Sequence, residues 1–429
     1  MRGVVRALKH SFSILRVFLI LGVALFLPQL CVWYTKHVEQ PVAQVNAAKF
    51  KLGLENLSES TFKSLTIQSG RNKRAPSIAL ITNQTGTDQE GTSNSDILTG
   101  KGFLVKKILV PQGSHFEPKA SEKDKVATIP IITFGKKDFN KKIFADIDAL
   151  MFDMQDSGIR YYGYITTLLD TMEAAAQYKK KFIVLDRPNL LGWCMEGVLT
   201  SDNQLYQDLP VPLRHGMTVG ELAQYFNKYV LSKPVDLQVV PMEHYNRQVE
   251  ARQPGMGSLL RDGTSVDACY GYSVLGLLGE VAPFDIGVGT DKAFQCVLLP
   301  ERLKFPKHKW HDLHVLLKEH GIESKSHRYF NTAKKEYCVG LRLHINDINR
   351  FSAFNTLLTV LDFFKESGIT LTCSEKFDRV LGTKQIRSLV QGNISRIDLA
   401  LKVNDDLQSF YKKAFSCFIY KPLPKVLHV

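Results

Sequence analysis

No GxGxxG turn follows any apolar run of this 429-residue chain. The nearest approach, Gly287-Val288-Gly289, has Lys292 where the third glycine would stand, so no dinucleotide cofactor is expected. HExxH is missing too. His308, His311, His314 and His320 cluster, but at spacings that stack poorly on one helical face, so a solvated helix is expected there and no metal. Gly113-Ser114-His115 is not a GxSxG elbow, and a serine next to its own histidine is poorly placed to be activated by it. Seven cysteines form no CxxC pair and no framework spacing, which leaves buried free thiols. The net charge of +13 invites a polyanion, yet no helix-turn-helix, zinc finger or aromatic RNA-binding motif accompanies it, so nucleic acid is not an expected partner.

The first 36 residues differ in composition from the rest. Arg2, Arg6, Lys9 and Arg16 precede an apolar run over residues 17–34, broken only by Pro28 and Gln29. That length is near the lower limit for crossing a bilayer, and no small-x-small cleavage site closes it. The basic flank sets the N-terminus in the cytoplasm. The expectation is an uncleaved signal anchor in the inner membrane (residues 1–36), a tether (37–51), and a body outside the cytoplasm, in the periplasm. A cleaved, secreted form is the alternative. The first 40 residues carry five Lys/Arg and one Glu, so +9 of the charge belongs to the body, which suits an anionic polymer or membrane surface.

About 380 residues remain, more than one typical domain. Residues 52–231 repeat a strand-then-helix rhythm. Ile78-Ala79-Leu80-Ile81, residues 104–110 and residues 129–133 read as strands. The clearest unit spans residues 147–189. An apolar run (Ala149 to Phe152) leads through Gln155-Asp156-Ser157-Gly158-Ile159-Arg160 into a helix pattern of Ile165, Leu168, Leu169 and Met172, with Lys179, Lys180 and Lys181 in its last turn. A second apolar run, Phe182 to Leu185, stops at Asp186-Arg187-Pro188-Asn189. This is a βαβ crossover, so both strands end at one sheet edge, where open α/β sheets bind ligands. Asp153, Asp156, Arg160, Asp186 and Arg187 fall there, with Arg160 expected to face a carboxylate. The fold class expected is α/β: a Rossmann-like parallel-sheet domain, then a smaller C-terminal α/β domain over residues 232–429.

Thr218 and Glu221 make a capping box at the start of a helix whose inner face is Leu222, Tyr225, Phe226 and Tyr229. His215, just before it, is not required by the cap. In the C-terminal half, Leu237 to Val240 and Gly340 to Ile345 read as strands, and Phe351, Phe354, Leu357, Leu358 and Leu361 as an amphipathic helix closed by Gly368. The cleft between the halves is the natural place for a substrate. Glycoside cleavage needs a carboxylic acid beside the leaving oxygen, and Glu196, Glu221 and Glu280 are the glutamates on offer.

Residues 152–162, Phe152-Asp153-Met154-Gln155-Asp156-Ser157-Gly158-Ile159-Arg160-Tyr161-Tyr162, resemble the "FDxQDxGxRxYTY" signature of the exo-β-N-acetylmuramidase family. Leu185-Asp186-Arg187-Pro188-Asn189 resembles its "LDRPNP" element. Glu196-Gly197, Arg214-His215-Gly216-Met217-Thr218 and Leu80-Ile81-Thr82-Asn83-Gln84-Thr85-Gly86 resemble further ones. Leu277-Leu278-Gly279-Glu280, ten residues before Thr290, is similar in spacing to "LLEGTNxSEGRGT". The resemblance implies a Rossmann-like fold and hydrolysis of terminal N-acetylmuramic acid from peptidoglycan fragments. It implies a sugar site of Asn83, His115, Asp153, Asp156, Arg160, Tyr162, Asp186, Arg187 and Asn189, with Glu280 and His215 supporting the chemistry. Two departures stand out. Where the family has "PEHG", this chain has Pro111-Gln112-Gly113-Ser114-His115, so Gln112 replaces the glutamate the resemblance would make the acid, and Glu117 is the nearby carboxylate. The arginine of "GRGT" is Val288. The alternative reading is a membrane-tethered, catalytically degenerate muropeptide-binding protein.

Overall fold

A computed structural model describes residues 50–429, apart from 59–61, 63–66, 70–71, 117–128, 201–208 and 249–264. The expected anchor, most of the tether, and Glu117 lie outside the described residues. Among the described residues no helix is long and apolar enough to cross a membrane. The last two residues assigned to the tether belong to the body: Phe50 is buried, and Lys51 pairs with Glu243.

Six strands form one parallel sheet: β1 (Ser77–Thr82), β2 (Leu104–Pro111), β3 (Ile131–Phe134), β4 (Ala149–Asp153), β5 (Lys181–Leu185) and β6 (Leu237–Val240). Their spatial order is β3-β2-β1-β4-β5-β6, and every neighbouring pair runs parallel. This is the Rossmann order, whose direction of progression reverses between β1 and β4. The inner strands are mostly apolar because both faces are covered. All six residues of β1 and all five of β4 are buried. The edge strands β3 and β6 are half-exposed. β6 was expected in the C-terminal half but pairs with β5, so the sheet extends past residue 231.

Helices cover the sheet. α1 (Asn94–Gly100) follows β1, and α2 (Tyr164–Gln177) joins β4 to β5 as the expected crossover. α2 buries Ile165, Leu168, Leu169 and Met172 towards β5 and the next helix. Each such side chain contributes about 1.5–3 kcal/mol relative to exposure, so Leu168→Asp would break this packing. The three lysines are not in its last turn. The helix stops at Tyr178, Lys179 turns left-handed (φ 52°), and Lys181 already begins β5. α3 (Val219–Tyr229) starts with the Thr218/Glu221 capping box.

Downstream, α4 (Val266–Leu278) leads to an antiparallel sheet of β7 (Cys296–Pro300), β8 (Ile322–Asn331) and β9 (Glu336–Ile345), ordered β7-β9-β8. It is joined by α5 (Lys307–Glu319), α6 (Ala353–Glu366) and α7 (Arg396–Ala414). In α5 and just beyond, His314 bonds Ser324 and His320 bonds Thr359. The six described cysteines are buried and form no disulfide with one another. The two halves are tied together at several points. Glu196 accepts from Ser352 and from the amides of Ala353 and Phe354, capping α6 with a carboxylate where the helix dipole favours one. Lys425–Val426 adds a parallel pairing to Cys194–Met195.

Candidate active site at the carboxyl edge of the parallel sheet

Thr82 and Asp153 sit side by side where β1 and β4 end, at the reversal of strand order. The turn after β1 places Asn83, whose Oδ1 accepts from the Thr85 amide (2.9 Å) and hydroxyl (2.6 Å). The Thr85 hydroxyl in turn accepts from the Gln155 amide (3.0 Å), joining the turns after β1 and β4. Gln155 Nε2 donates to the Asp156 and Pro188 carbonyls, reaching the loop after β5. Asp156 Oδ2 accepts from the Gly158 amide (2.7 Å) and lies 3.5 Å from His215 Nε2. The Met217 amide donates to His215 Nδ1 (3.2 Å), so in the neutral ring the proton belongs on Nε2, facing Asp156.

Asp153 is held by the Asn94 amide (2.8 Å) and, at two points, by Arg187, whose Nη2 also reaches the Thr87 carbonyl. All these side chains are buried. Six of their polar atoms have no hydrogen-bond partner among the described residues: Asn94 Oδ1 at the start of α1 and, on the connected turns, Asn83 Nδ2, Gln155 Oε1, Asp156 Oδ1, Arg187 Nη1 and His215 Nε2. A buried polar atom left unpaired costs about 1–3 kcal/mol, so five on connected turns make this edge the candidate ligand site. The set mixes donors and acceptors, which suits a ligand rich in hydroxyls. Beside it lie half-exposed aromatic rings, Tyr162 edge-on to Tyr164 (5.1 Å) and to Tyr272 of α4 (5.9 Å).

Other expected site residues are placed differently. The Arg160 guanidinium donates to the carbonyls of Val198, Val211 and Leu381, stapling the halves together. Asp186 is saturated, accepting from the Arg187 and Gly220 amides and from the Thr218 and Tyr420 hydroxyls. Burial pushes its carboxyl up to about 6, against the pull of those donors. Asn189 is spent on the Met217 carbonyl and the Leu191 amide. Gln112 is exposed, with its Oε1 over Gly135 at the β2–β3 end of the edge. Its loop still touches the site. The His115 carbonyl accepts from the Gln84 amide (3.0 Å), and the Ser114 and Tyr164 hydroxyls meet at 3.2 Å.

Glu280 lies at the end of α4, its oxygens bonded to Ser374 (2.9 Å) and Lys376 (2.7 Å). It lines a cavity of about 490 Å³ whose wall comes from residues between Gly279 and Ser374, with no residue from the parallel-sheet half. Glu221 pairs with Arg247, both fully buried, and Glu196 with Arg214. Sequence reasoning missed Asn94, Arg247 and Tyr420. Asn94 looks like an ordinary helix-start residue, and the other two carry no local pattern.

The fold defines an α/β protein with a cluster of buried polar side chains at the switch point of a Rossmann-order sheet. The chain belongs to the exo-beta-N-acetylmuramidase NamZ family, whose N-terminal model matches residues 78–257 and whose C-terminal model matches residues 270–420. Peptidoglycan beta-N-acetylmuramidase NamZ of Bacillus subtilis is 30% identical over 368 residues, which cover 80% of this chain and 86% of that protein. The crystal structure of a DUF1343 family protein from Bacteroides fragilis matches with a TM-score of 0.73 at 29% identity, covering 87% of this chain and 99% of that one. A second such protein from the same organism shares the fold, with a TM-score of 0.66 at 23% identity, covering 86% of this chain and 99% of that one.

Proposed function

We propose that this protein is an exo-β-N-acetylmuramidase-like glycoside hydrolase that removes terminal N-acetylmuramic acid from peptidoglycan fragments. The observation that carries the reading is the group of five unpartnered, buried polar atoms at the switch point of a chain in this family. Asn83, Gln155 and Asp156 meet sugar hydroxyls, and the free Arg187 nitrogen meets an acidic substituent. The half-exposed tyrosines Tyr162 and Tyr164 offer ring faces to the apolar side of a pyranose. His215, paired with Asp156, handles the proton.

Glutamine has no titratable proton, so position 112 supplies no acid, and the natural protein is a slow catalyst that binds well. Glu280 is engaged by Ser374 and Lys376 and is given no part in bond cleavage. The test is release of chromophore from an aryl N-acetylmuramic acid glycoside by the purified protein, with calorimetry on muramic-acid-containing fragments. Weak turnover with clear binding is expected. The absence of both binding and turnover would overturn the reading.

We further infer that residues 17–34 anchor the chain in the inner membrane with its body in the periplasm. The support is the basic flank before the apolar run and the absence of a cleavage site after it. Mass spectrometry of the protein from its host should find the N-terminal peptide intact. A mature start near residue 35 would count against the anchor.

A further inference from the structure

The segment after α7 returns to the parallel-sheet half and touches both sides of the His215 loop. The Tyr420 hydroxyl donates to Asp186 Oδ2 (2.7 Å) and accepts from the Met242 amide (2.8 Å). Asp186 Oδ2 also holds the Thr218 hydroxyl, and Oδ1 holds the amides of Gly220 and Arg187. One carboxylate therefore fixes the backbone of Arg187 on one strand end and the start of α3 on the other side. The Ile419 and Tyr420 amides meanwhile donate to Glu221, which pairs with Arg247, and Arg247 donates to the Gly216 carbonyl (3.0 Å). Gly216 follows His215 directly, and Met217 supplies the amide that sets the His215 tautomer. The stretch from His215 to Thr218 is thus gripped at Gly216 and at Thr218, and both grips lead back to residues 419 and 420.

We propose that Tyr420 is a positioning residue of this site, holding Asp186 so that the His215 ring and the Arg187 guanidinium keep their orientation. It touches neither substrate nor reacting atoms and acts through Asp186. The inference rests on the hydrolase reading only for its activity arm. The charged and titratable groups facing Asp186 are Tyr420 from the returning segment, Glu221 from α3, and Tyr245 and Arg247 from the loop after β6. Three hydroxyl or amide donors pull the Asp186 carboxyl down against its burial, and Tyr420 heads them. Removing that hydroxyl shifts protonation of Asp186 to higher pH. A protonated Asp186 has one acceptor fewer for Thr218 and Gly220, so the grip loosens as pH falls.

The experiment uses the full chain and Tyr420→Phe, which keeps the ring in its edge-on contact with Tyr245 and removes only the hydroxyl. The side-chain nitrogen resonances of His215 are followed in histidine-labelled protein, assigned among the 12 histidines by His215→Gln. At about pH 8 both proteins should show one tautomer, protonated on Nε2, and as pH is lowered towards the Asp186 range Tyr420→Phe should become a mixture before the natural protein does. In the chromogenic assay the acid limb of the kcat profile should move up by roughly one pH unit. A single unchanged tautomer at every pH overturns the proposal, as does a tautomer mixture that higher pH fails to resolve. If the natural protein turns over no muramic acid glycoside, the hydrolase reading fails, and the His215 resonances still decide the role of Tyr420.

Discussion

Arg187 grips Asp153 at two points, Nε to Oδ1 at 2.5 Å and Nη2 to Oδ2 at 2.9 Å, with both side chains fully buried. Two consecutive parallel strands meet through this pair, since Asp153 ends β4 and Arg187 follows β5. Removing one partner leaves an uncompensated buried charge, which costs about 3–5 kcal/mol. Arg187→Met should therefore lower the unfolding free energy measured in urea by that amount, and Asp153→Asn should do the same. The double variant should recover part of the loss, because no lone charge remains. Strictly additive losses in the four-way comparison would argue that the pair contributes nothing as a unit.

Gly158 turns the loop after β4 with φ 93°, and a Cβ there would lie 2.1 Å from Asn189 Oδ1. Both the left-handed backbone and the close approach require glycine. Gly158→Ala should cost about 1–3 kcal/mol from the backbone alone and displace Asn189 from the Met217 carbonyl, loosening the His215 loop. Calorimetric unfolding and the affinity for a muramic-acid-containing fragment should both fall. A variant that loses stability yet binds normally would uncouple Asn189 from the site.

The pH dependence of stability carries the signature of Asp186. Its folded carboxyl titrates at about 6, above the ordinary 3.8, so the folded state holds the proton more tightly than the unfolded chain. Stability from this group is full below pH 3.8 and declines as pH rises to about 6, by roughly 3 kcal/mol over the window. Asp186→Asn removes that slope. The difference in unfolding free energy between the two proteins should thus change steadily between about pH 4 and pH 6 and level off above. A difference that is flat across this window would mean that Asp186 is not held protonated by burial.

How much of this was legible in the sequence differs by element. The apolar runs at Ala149 and Phe182 read correctly as parallel strands because burial on both faces leaves no alternation to confuse. The capping box read correctly because its chemistry lies within four residues. Leu237–Val240 was assigned to the wrong half because a short half-exposed strand carries no mark of which sheet it joins. Charged residues were the hardest to read. Arg160 and Asp186 look alike in sequence as polar residues at strand ends, but their partners lie up to 221 and 234 residues away. A carboxylate saturated by four donors and one with a free oxygen, Asp186 and Asp156, cannot be separated until those distant groups are in place.

Gln112→Glu puts a carboxyl at the end of β2, where the resemblance to the family places one. A well-placed general acid contributes about 10²–10⁴-fold, so hydrolysis of the chromogenic glycoside should rise towards that range while binding stays near its natural value. The loop is already near the site through the Ser114–Tyr164 contact and the Gln84–His115 hydrogen bond. Full activity in the natural sequence that Glu117→Gln abolishes would instead show that the acid has moved along the loop.

The last prediction separates the two halves as sources of chemistry by comparing His215 with Glu280. His215 is buried beside Asp156, and its Nε2 has no hydrogen-bond partner among the described residues. Glu280 bonds Ser374 and the largely exposed Lys376, in a cavity walled by its own half. A surface pair of that kind is worth about 0–1 kcal/mol, so Glu280→Gln should change stability little and turnover by no more than about twofold. His215→Gln keeps an acceptor for the Met217 amide but removes the imidazole proton, so turnover should fall by about 10²-fold or more with binding largely kept. The order matters more than the magnitudes. If Glu280→Gln abolishes turnover while His215→Gln is tolerated, the reacting centre lies in the C-terminal half, and the switch-point cluster is a binding subsite only.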